Sequence, residues 1–263
     1  MQRKRLGSSG PEVSAFCLGS MTWGSQTSEA EGHEQIDRAL AAGIDFIDTA
    51  EMYPVNPVRA ETVGRTEEII GSWIARRGRR NDVVLATKIT GEGSAAVRDG
   101  APITPAAIRA AVESSLRRLN TDHIDLYQLH WPNRGTYGFR SNWGYDPSKQ
   151  NREANLADMR ACLATVCEMQ AEGKIGHFGL SNETTWGMAQ WLALAEEGVG
   201  PRAISIQNEY SLLSRLYDTD LAELGVNEDV MLLAYSPLAA GLLTGKYAPD
   251  APPPPGSRRA VNA

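Results

Sequence analysis

The chain has 263 residues, 42% of them hydrophobic, so it can bury a sizeable core in one large domain or two ordinary ones. Its formal charge of −6 argues against a nucleic-acid partner, which would need a basic face. The three scattered cysteines match neither a metal site nor a disulfide framework. No apolar run approaches the ~18 residues of a membrane helix and no signal-peptide pattern opens the chain, so we expect a cytoplasmic protein without membrane or metal partners.

The first predicted element is a β-hairpin over residues 3–16, which turns at Ser9-Gly10-Pro11 and is expected to plug the amino-terminal mouth of the fold. Apolar runs then alternate with amphipathic segments along the chain. In order they read VSAFCLG and a helix over 28–42, FIDT and TEEIIGSWIARR, VVLATK and AAIRAAVESSLRRL, IDLYQLH and LADMRACLATVCEMQAEG, IGHFGLS and TTWGMAQWLALAEE, AISIQN and LYDTDLAELG, and VMLLAYS. Such nearly continuous apolar strands alternating with helices predict parallel βαβ units.

Two architectures fit this alternation, an open doubly wound sheet and a (β/α)8 barrel. An open dinucleotide-binding sheet has a glycine-rich turn after its first strand, whereas here that turn reads LGSMTWG. The nearest match to the fingerprint, Gly91, Gly93 and Ala96, follows the third barrel strand and leads into no helix. We therefore predict an α/β fold, a (β/α)8 TIM barrel with an N-terminal β-hairpin, as a single domain over residues 1–263.

Polar residues close several of the predicted strands. Asp48, Lys88 and His130 each end an apolar run, and Tyr53 follows Asp48 by five residues. Because the carboxyl ends of parallel barrel strands form one face, these side chains are expected to meet there. The combination indicates carbonyl chemistry.

Each of these residues suits one task in carbonyl reduction. When hydride reaches a carbonyl carbon, the oxygen needs a proton from a positioned acid, and Tyr53 can supply it. Since the unperturbed pKa of tyrosine is roughly 10, we expect Lys88 to lower the pKa of Tyr53, with Asp48 holding the lysine charged. A neutral His130 would hydrogen-bond the carbonyl oxygen and orient it.

Several segments resemble the aldo-keto reductases, in the branch that contains the bacterial Tas protein and the potassium-channel β-subunits. They are DTAEMY at 48–53, TKIT at 87–90, YQLHWP at 127–132, GLSNET at 179–184, IQNEYSLL at 206–213 and YSPLAAGLLTGKY at 235–247. The resemblance implies a catalytic tetrad of Asp48, Tyr53, Lys88 and His130, with Tyr53 as general acid and NADPH as hydride donor.

The resemblance also implies cofactor contacts. Ser181, Asn182 and Gln207 would bind the nicotinamide carboxamide, and Tyr235 would stack on the ring. The pyrophosphate cradle would comprise Ser236, Pro237, Leu238, Ala239 and Gly241, with Lys246 meeting a phosphate. Gly19, Ser20 and Met21 are expected to touch the cofactor, and Trp23 and Trp131 to frame the substrate.

The substrate is expected to be a small-molecule aldehyde or ketone, aromatic or medium-sized. The long segment after the fourth barrel strand carries Trp131, Tyr137, Phe139, Trp143 and Tyr145, which would either line the substrate pocket or pack the loop down. Two arginines of this loop, Arg134 and Arg140, would recruit an anionic substrate or lie exposed as surface charges. The protein is expected to be a monomer or a homo-oligomer.

Only seven barrel strands can be counted before the proline-rich segment near the end of the chain. The expectation is that the natural protein continues past Ala263, and that the last strand and helices of the barrel, which would hold the adenosine 2′-phosphate, are missing here. Three functions stay open: an NADPH-dependent carbonyl reductase, a cofactor-binding regulatory or redox-sensing protein related to the channel subunits, and an inactive barrel that serves only in interactions.

Overall fold

A computed structural model describes residues 1–261; the last two residues of the predicted domain, 262 and 263, lie outside the described residues. The predicted hairpin is confirmed. Its strands β1 (Arg3–Arg5) and β2 (Glu12–Ser14) pair antiparallel, with Lys4 opposite Val13. The hairpin therefore forms a unit separate from the main sheet.

Seven further strands form one parallel sheet in chain order, as the barrel prediction requires. They are β3 (Cys17–Gly19), β4 (Phe46–Asp48), β5 (Val84–Ile89), β6 (Ile124–Leu129), β7 (Ile175–Ser181), β8 (Ala203–Glu209) and β9 (Met231–Tyr235). The helices are α1 (Glu29–Ala41), α2 (Arg65–Arg77), α3 (Pro105–Leu119), α4 (Arg152–Ala171), α5 (Thr185–Glu196), α6 (Leu221–Asn227) and α7 (Arg258–Val261). The fold is thus a curled parallel sheet of the (β/α)8 type.

The predicted first strand, VSAFCLG, is divided between two sheets. Ser14 causes the break, because its side chain donates to the carbonyl of Phe16 at 2.6 Å and accepts from the amide of Asp45 at 3.1 Å. The Asp45 carboxylate in turn accepts from the amide of Ser14 at 2.9 Å. These bonds turn the chain between β2, in the hairpin, and β3, the first strand of the barrel.

Local signals set the helix ends. Ser28 and Glu31 form a capping box at the start of α1, and Thr104 caps α3 through the amide of Ala107. Gly78 ends α2 with φ of 62°, a left-handed conformation that favours glycine. Within the described residues, no helix is both long enough and apolar enough to cross a membrane.

The hairpin closes the amino-terminal end of the barrel. Leu6 and Val13 are nearly fully buried, and they form a separate apolar cluster with Phe46, Leu126 and Ile204, which come from three barrel strands. The larger core cluster lies between the sheet and the surrounding helices. Asp48, Lys88 and His130 lie at the opposite end, where the barrel strands finish.

The sheet is open along one side. Within residues 1–261, β3 and β9 form its two edges, and their outer sides pair with no other strand. A cavity of about 1370 Å³ begins at the carboxyl end and continues along this opening down to the hairpin, where Leu6 and Val13 form part of its wall. This cavity is called the main cleft below.

Candidate active site

Lys88 is the buried cation of the site. It lies near the end of β5 with no exposed surface, and its Nζ donates to Asp48 Oδ2 at 2.6 Å and to the carbonyl of Thr49 at 2.8 Å. Burial lowers the pKa of Lys88, but the charges of Asp48 and Tyr53 outweigh it, so the net pKa is raised. The ammonium therefore stays charged, as the sequence-based mechanism requires.

Tyr53 lies in the turn after β4, within reach of that charge. Lys88 Nζ lies 5.0 Å from the centroid of the phenol ring. Burial raises the pKa of Tyr53 more than Lys88 lowers it, and Asp48 adds to the rise. The predicted lowering of the Tyr53 pKa is therefore wrong in its net direction, although Lys88 acts on the phenol with the expected sign.

His130 follows β6 and faces the same space. Its ring centroid lies 5.8 Å from that of Tyr53 in an edge-on arrangement. Burial, followed by the charge of Lys88, holds the pKa of His130 well below its ordinary 6.5. The imidazole is therefore neutral at physiological pH, as expected. Its Nδ1 is buried and finds no hydrogen-bond partner among residues 1–261.

Asp48 also accepts from two amide side chains. Its Oδ1 lies 2.9 Å from Nε2 of Gln207 and 3.3 Å from Nε2 of Gln128. The resemblance assigned Gln207 to the cofactor, whereas Gln128 was missed. A signal for Gln128 was present, because it lies two residues before His130 and strand side chains alternate between faces.

The three residues expected to bind a carboxamide do come together beside His130. Asn182 has a left-handed φ of 52°, and its Nδ2 donates to the carbonyl of His130 at 3.0 Å. Its Oδ1 accepts from the hydroxyl of Tyr235 at 2.8 Å, while Ser181 Oγ donates to the carbonyl of Gln207 at 2.8 Å. The set is therefore ordered by its own internal hydrogen bonds.

The turn after β9 reaches the main cleft only at its start. Ser236 and Pro237 line the cleft, whereas the amides of Ala239 and Gly241 donate to carbonyls within the turn at 2.8 and 2.9 Å. The assignment of this turn as the pyrophosphate cradle stays a prediction. Leu238 and Lys246 are exposed. A Cβ added at Gly241 would lie 3.0 Å from Nζ of Lys246, so the lysine side chain packs against the turn after β9.

Arg258, at the start of α7, lines the main cleft and was not singled out from the sequence. It follows the proline-rich segment near the end of the chain. No pattern in that segment distinguishes Arg258 from a surface charge.

The segment after β3 divides into cleft and core residues. Gly19, Ser20 and Met21 line the cleft, and Ser20 Oγ donates to the carbonyl of Asp48 at 2.7 Å. The prediction that Trp23 contacts substrate is wrong. Its side chain is 1% exposed within the main core cluster, and its indole nitrogen donates to Gln35 at 3.0 Å.

Trp131 lies at the cleft wall beside His130. The two ring centroids are 5.0 Å apart, and the indole nitrogen donates to the carbonyl of Glu92 at 2.9 Å. Phe139 meets Trp131 edge to face at 5.5 Å and also lines the cleft. Gly91 leaves room for the indole, since any Cβ there would overlap it.

The remaining aromatic residues of the loop do not share that role. Tyr137 packs on Tyr145 at 6.0 Å, and Trp143 is 96% exposed. The two loop arginines are engaged, because Arg134 pairs with Glu183 and Arg140 with Glu209. Arg140, whose side chain is 61% exposed, matches the alternative of a surface charge, whereas the side chain of Arg134 is buried. The two pairs attach the loop to the ends of β7 and β8.

Comparison with known proteins gives a consistent result. The model of the Aldo/keto reductase family matches residues 15–263. Protein tas of Escherichia coli (strain K12) is 45% identical over 256 residues, which are 96% of this chain and 72% of that protein. The uncharacterized oxidoreductase YrpG of Bacillus subtilis (strain 168) is 35% identical over 250 residues, 94% of this chain and 69% of that protein. The probable voltage-gated potassium channel subunit beta of Arabidopsis thaliana is 31% identical over 256 residues, 94% and 67% respectively.

A solved structure shares the fold. The thermostable aldo-keto reductase Tm1743, crystallised with the inhibitor epalrestat, superposes with a TM-score of 0.70 at 27% identity, over 94% of this chain and 76% of that chain. Aldo-keto reductases are oxidoreductases that act on small carbonyl compounds and generally use NAD(P)H. The chain therefore belongs to the aldo/keto reductase family, in the branch of Tas and the potassium-channel β-subunits.

Proposed function

We propose that the protein reduces an aldehyde or ketone to an alcohol with NADPH, using Tyr53 as the general acid. The observation that supports this function most directly is the position of Lys88. Its ammonium is bound to Asp48 at 2.6 Å and lies 5.0 Å from the centroid of the Tyr53 ring, and the neutral imidazole of His130 completes the same wall. This is the set of groups that a developing alkoxide needs.

The protein's own residues supply the proton and fix the geometry. When bound, NADPH supplies the hydride that the carbonyl carbon accepts. The carbonyl oxygen then takes the proton of the Tyr53 hydroxyl, and the charge of Lys88 stabilises the phenolate that remains. Because an alkoxide is a far stronger base than a phenolate, the raised pKa of Tyr53 does not prevent this transfer.

The residues of the main cleft suit a nicotinamide dinucleotide. Nε2 of Gln207 is used by Asp48, which leaves Oε1 of Gln207 to accept from a carboxamide. Asn182 can bind the same group if the hydroxyl of Tyr235 releases its Oδ1. Ser236 and Arg258 line the cleft farther along, where a phosphate needs polar and cationic partners.

The test is NADPH consumption with a panel of aldehydes and ketones, with NADH as the comparison. Tyr53→Phe should lower kcat by about a thousandfold while leaving NADPH affinity close to that of the wild type. Affinity is measured separately by quenching of tryptophan fluorescence. Unchanged turnover in Tyr53→Phe would remove Tyr53 from the acid role.

A second function is supported by the likeness to a probable potassium-channel β-subunit. In that case the protein binds the nucleotide tightly and acts as a regulatory or redox-sensing partner with slow chemistry. Tight NADPH binding without turnover across the carbonyl panel would favour this function over the first.

A further inference from the structure

A residue outside the predicted tetrad also binds the Asp48 carboxylate. Gln128, on β6, has no exposed surface and pairs in register with Lys88 of β5, so both side chains enter the barrel at the same level. Its Nε2 lies 3.3 Å from Asp48 Oδ1, the oxygen that Lys88 does not use. Because a carboxylate only accepts hydrogen bonds, it fixes which end of the amide faces it.

The backbone around Gln128 is shaped to leave room for this amide. Its neighbour in register on β7 is Gly179. A Cβ at Gly179 would lie 2.5 Å from Oγ of Ser205 and 3.3 Å from Cγ of Gln128. Any larger residue there would therefore press on Gln128 from the side opposite Asp48.

The position of this amide leaves one of its polar atoms buried without a partner among the described residues. Oε1 of Gln128 is buried and accepts no hydrogen bond within the described part of the chain. An unsatisfied buried acceptor is destabilising, so an apolar residue would suit a purely structural position better. The donor end of the side chain, turned to Asp48, is what distinguishes glutamine from leucine or methionine here.

We propose that Gln128 is a positioning residue that holds the Asp48 carboxylate in the orientation in which it binds Lys88. Gln207 donates to the same oxygen, but its amide is also the one expected to meet the cofactor. Gln128 is enclosed within the barrel, so its bond to Asp48 is independent of what occupies the cleft. The catalytic consequence rests on the proposed function.

The titratable groups that face Asp48 set the expected pH effects. They are Cys17 from β3, Tyr53 from the turn after β4, Lys88 from β5 and His130 after β6. Without the donor of Gln128 the Asp48 carboxylate can turn away from Lys88, and the lysine then loses part of the negative charge that raises its pKa.

The experiment replaces Gln128 by methionine, which keeps the length of the side chain without a donor. In Gln128→Met we expect kcat to fall about tenfold. The basic limb of the kcat profile should move to lower pH by about one unit, because Lys88 loses its proton more easily. Gln128→Glu, which puts a second carboxylate beside Asp48 and so repels it, should lower kcat further. Ser205→Ala, in the same layer but without a bond to Asp48, is the matched control and should keep the wild-type profile.

A second readout does not depend on turnover. The ultraviolet absorbance of the Tyr53 phenolate is isolated by subtracting the titration of the corresponding Tyr53→Phe double variant. In Gln128→Met the bond between Asp48 and Lys88 is weakened, so the charge of Lys88 stabilises the phenolate less. The phenolate should therefore form at higher pH than in the wild type. Wild-type kcat, basic limb and phenolate titration in a folded Gln128→Met protein, or wild-type kcat in a folded Gln128→Glu protein, would overturn the proposal.

The two readouts separate this proposal from the proposed function. If the wild type reduces no carbonyl but the phenolate titration shifts in Gln128→Met, the reductase function fails and the role of Gln128 stands. If the wild type is active and neither readout changes in the variants, the role of Gln128 fails and the reductase function stands.

Discussion

Arg98 and Glu51 form an ion pair that ties the loop after β5 to the turn that carries Tyr53. Nη1 of Arg98 lies 2.5 Å from Oε1 of Glu51, and Nη2 donates to the carbonyl of Thr90. The other carboxylate oxygen of Glu51 accepts from the amide of Thr90 at 2.8 Å. Glu51 is 7% exposed and lies two residues before Tyr53. This network of hydrogen bonds therefore fixes the position of the turn.

Arg98→Met should destabilise the protein by about 2 kcal/mol. The substitution leaves the buried Glu51 carboxylate with a single donor, and the cost is smaller than for a fully buried pair because the arginine side chain is 22% exposed. Urea unfolding measures the change. In the carbonyl assay kcat should fall more than KM rises, because Tyr53 loses its support. Arg98→Lys, which keeps one charged donor, should recover part of both losses; equal behaviour of the two variants would contradict this.

The loop after β6 is held by two ion pairs of very different burial. The side chains of Arg134 and Glu183 are only 6% and 3% exposed, and Glu183 also accepts from the indole of Trp191 at 3.1 Å. Arg134→Met should therefore destabilise the protein by about 3–5 kcal/mol, because it leaves a buried carboxylate without its cation. Urea unfolding followed by tryptophan fluorescence checks this value.

Arg140→Met is the matched control for that prediction. Arg140 lies in the same loop as Arg134 and pairs at 2.8 Å with Glu209, the last residue of β8; the side chain of Glu209 is 11% exposed, but that of the arginine is 61% exposed. The loss should therefore be less than about 1 kcal/mol. Similar losses in the two variants would show that burial does not decide the strength of these pairs.

The meeting of Asp48, Lys88 and His130 could be predicted from the sequence because these three residues lie at strand ends. Asp48, Lys88 and His130 each close an apolar run, and a parallel barrel brings such ends to one face whatever the loops do. Side-chain alternation could also have identified Gln128, which shares the inward face with His130. The net pKa of Tyr53 could not be predicted in this way, since it depends on how far burial outweighs Lys88.

Long-range partners limit what a single sequence reveals about the rest. The partners of Arg134 and Arg140 lie 49 and 69 residues farther along the chain, so no local pattern shows that these arginines are already paired. Trp23 follows a segment that lines the cleft, but its indole packs in the core against α1 and α2. Only the packing of those helices distinguishes a core indole from one in a pocket.

Gly71→Ala tests the close approach of α2 and α3. Alanine in place of glycine normally stabilises a helix by about 1 kcal/mol. At this position the added Cβ would overlap the carbonyl oxygen of Arg118 at the end of α3. We expect a net loss of about 2 kcal/mol, because backbone cannot move aside as a flexible side chain does. Thermal and urea unfolding give the sign, and a gain in stability would show that the two helices can separate at low cost.

His130 should make the protein sensitive to acid. Its pKa in the folded state lies well below the ordinary 6.5 because of burial and the charge of Lys88, so between these two values the unfolded chain binds more protons than the folded one. Stability from this group is therefore fully present above the ordinary pKa and is lost as pH falls toward the folded-state value, by at most about 1.4 kcal/mol per pH unit. His130→Gln should remove that slope, while the half-buried His177 keeps its smaller effect in both proteins. Urea midpoints from about pH 5 to about pH 8 compare the two proteins, and parallel curves would mean that His130 takes up its proton as easily in the fold as in the unfolded chain.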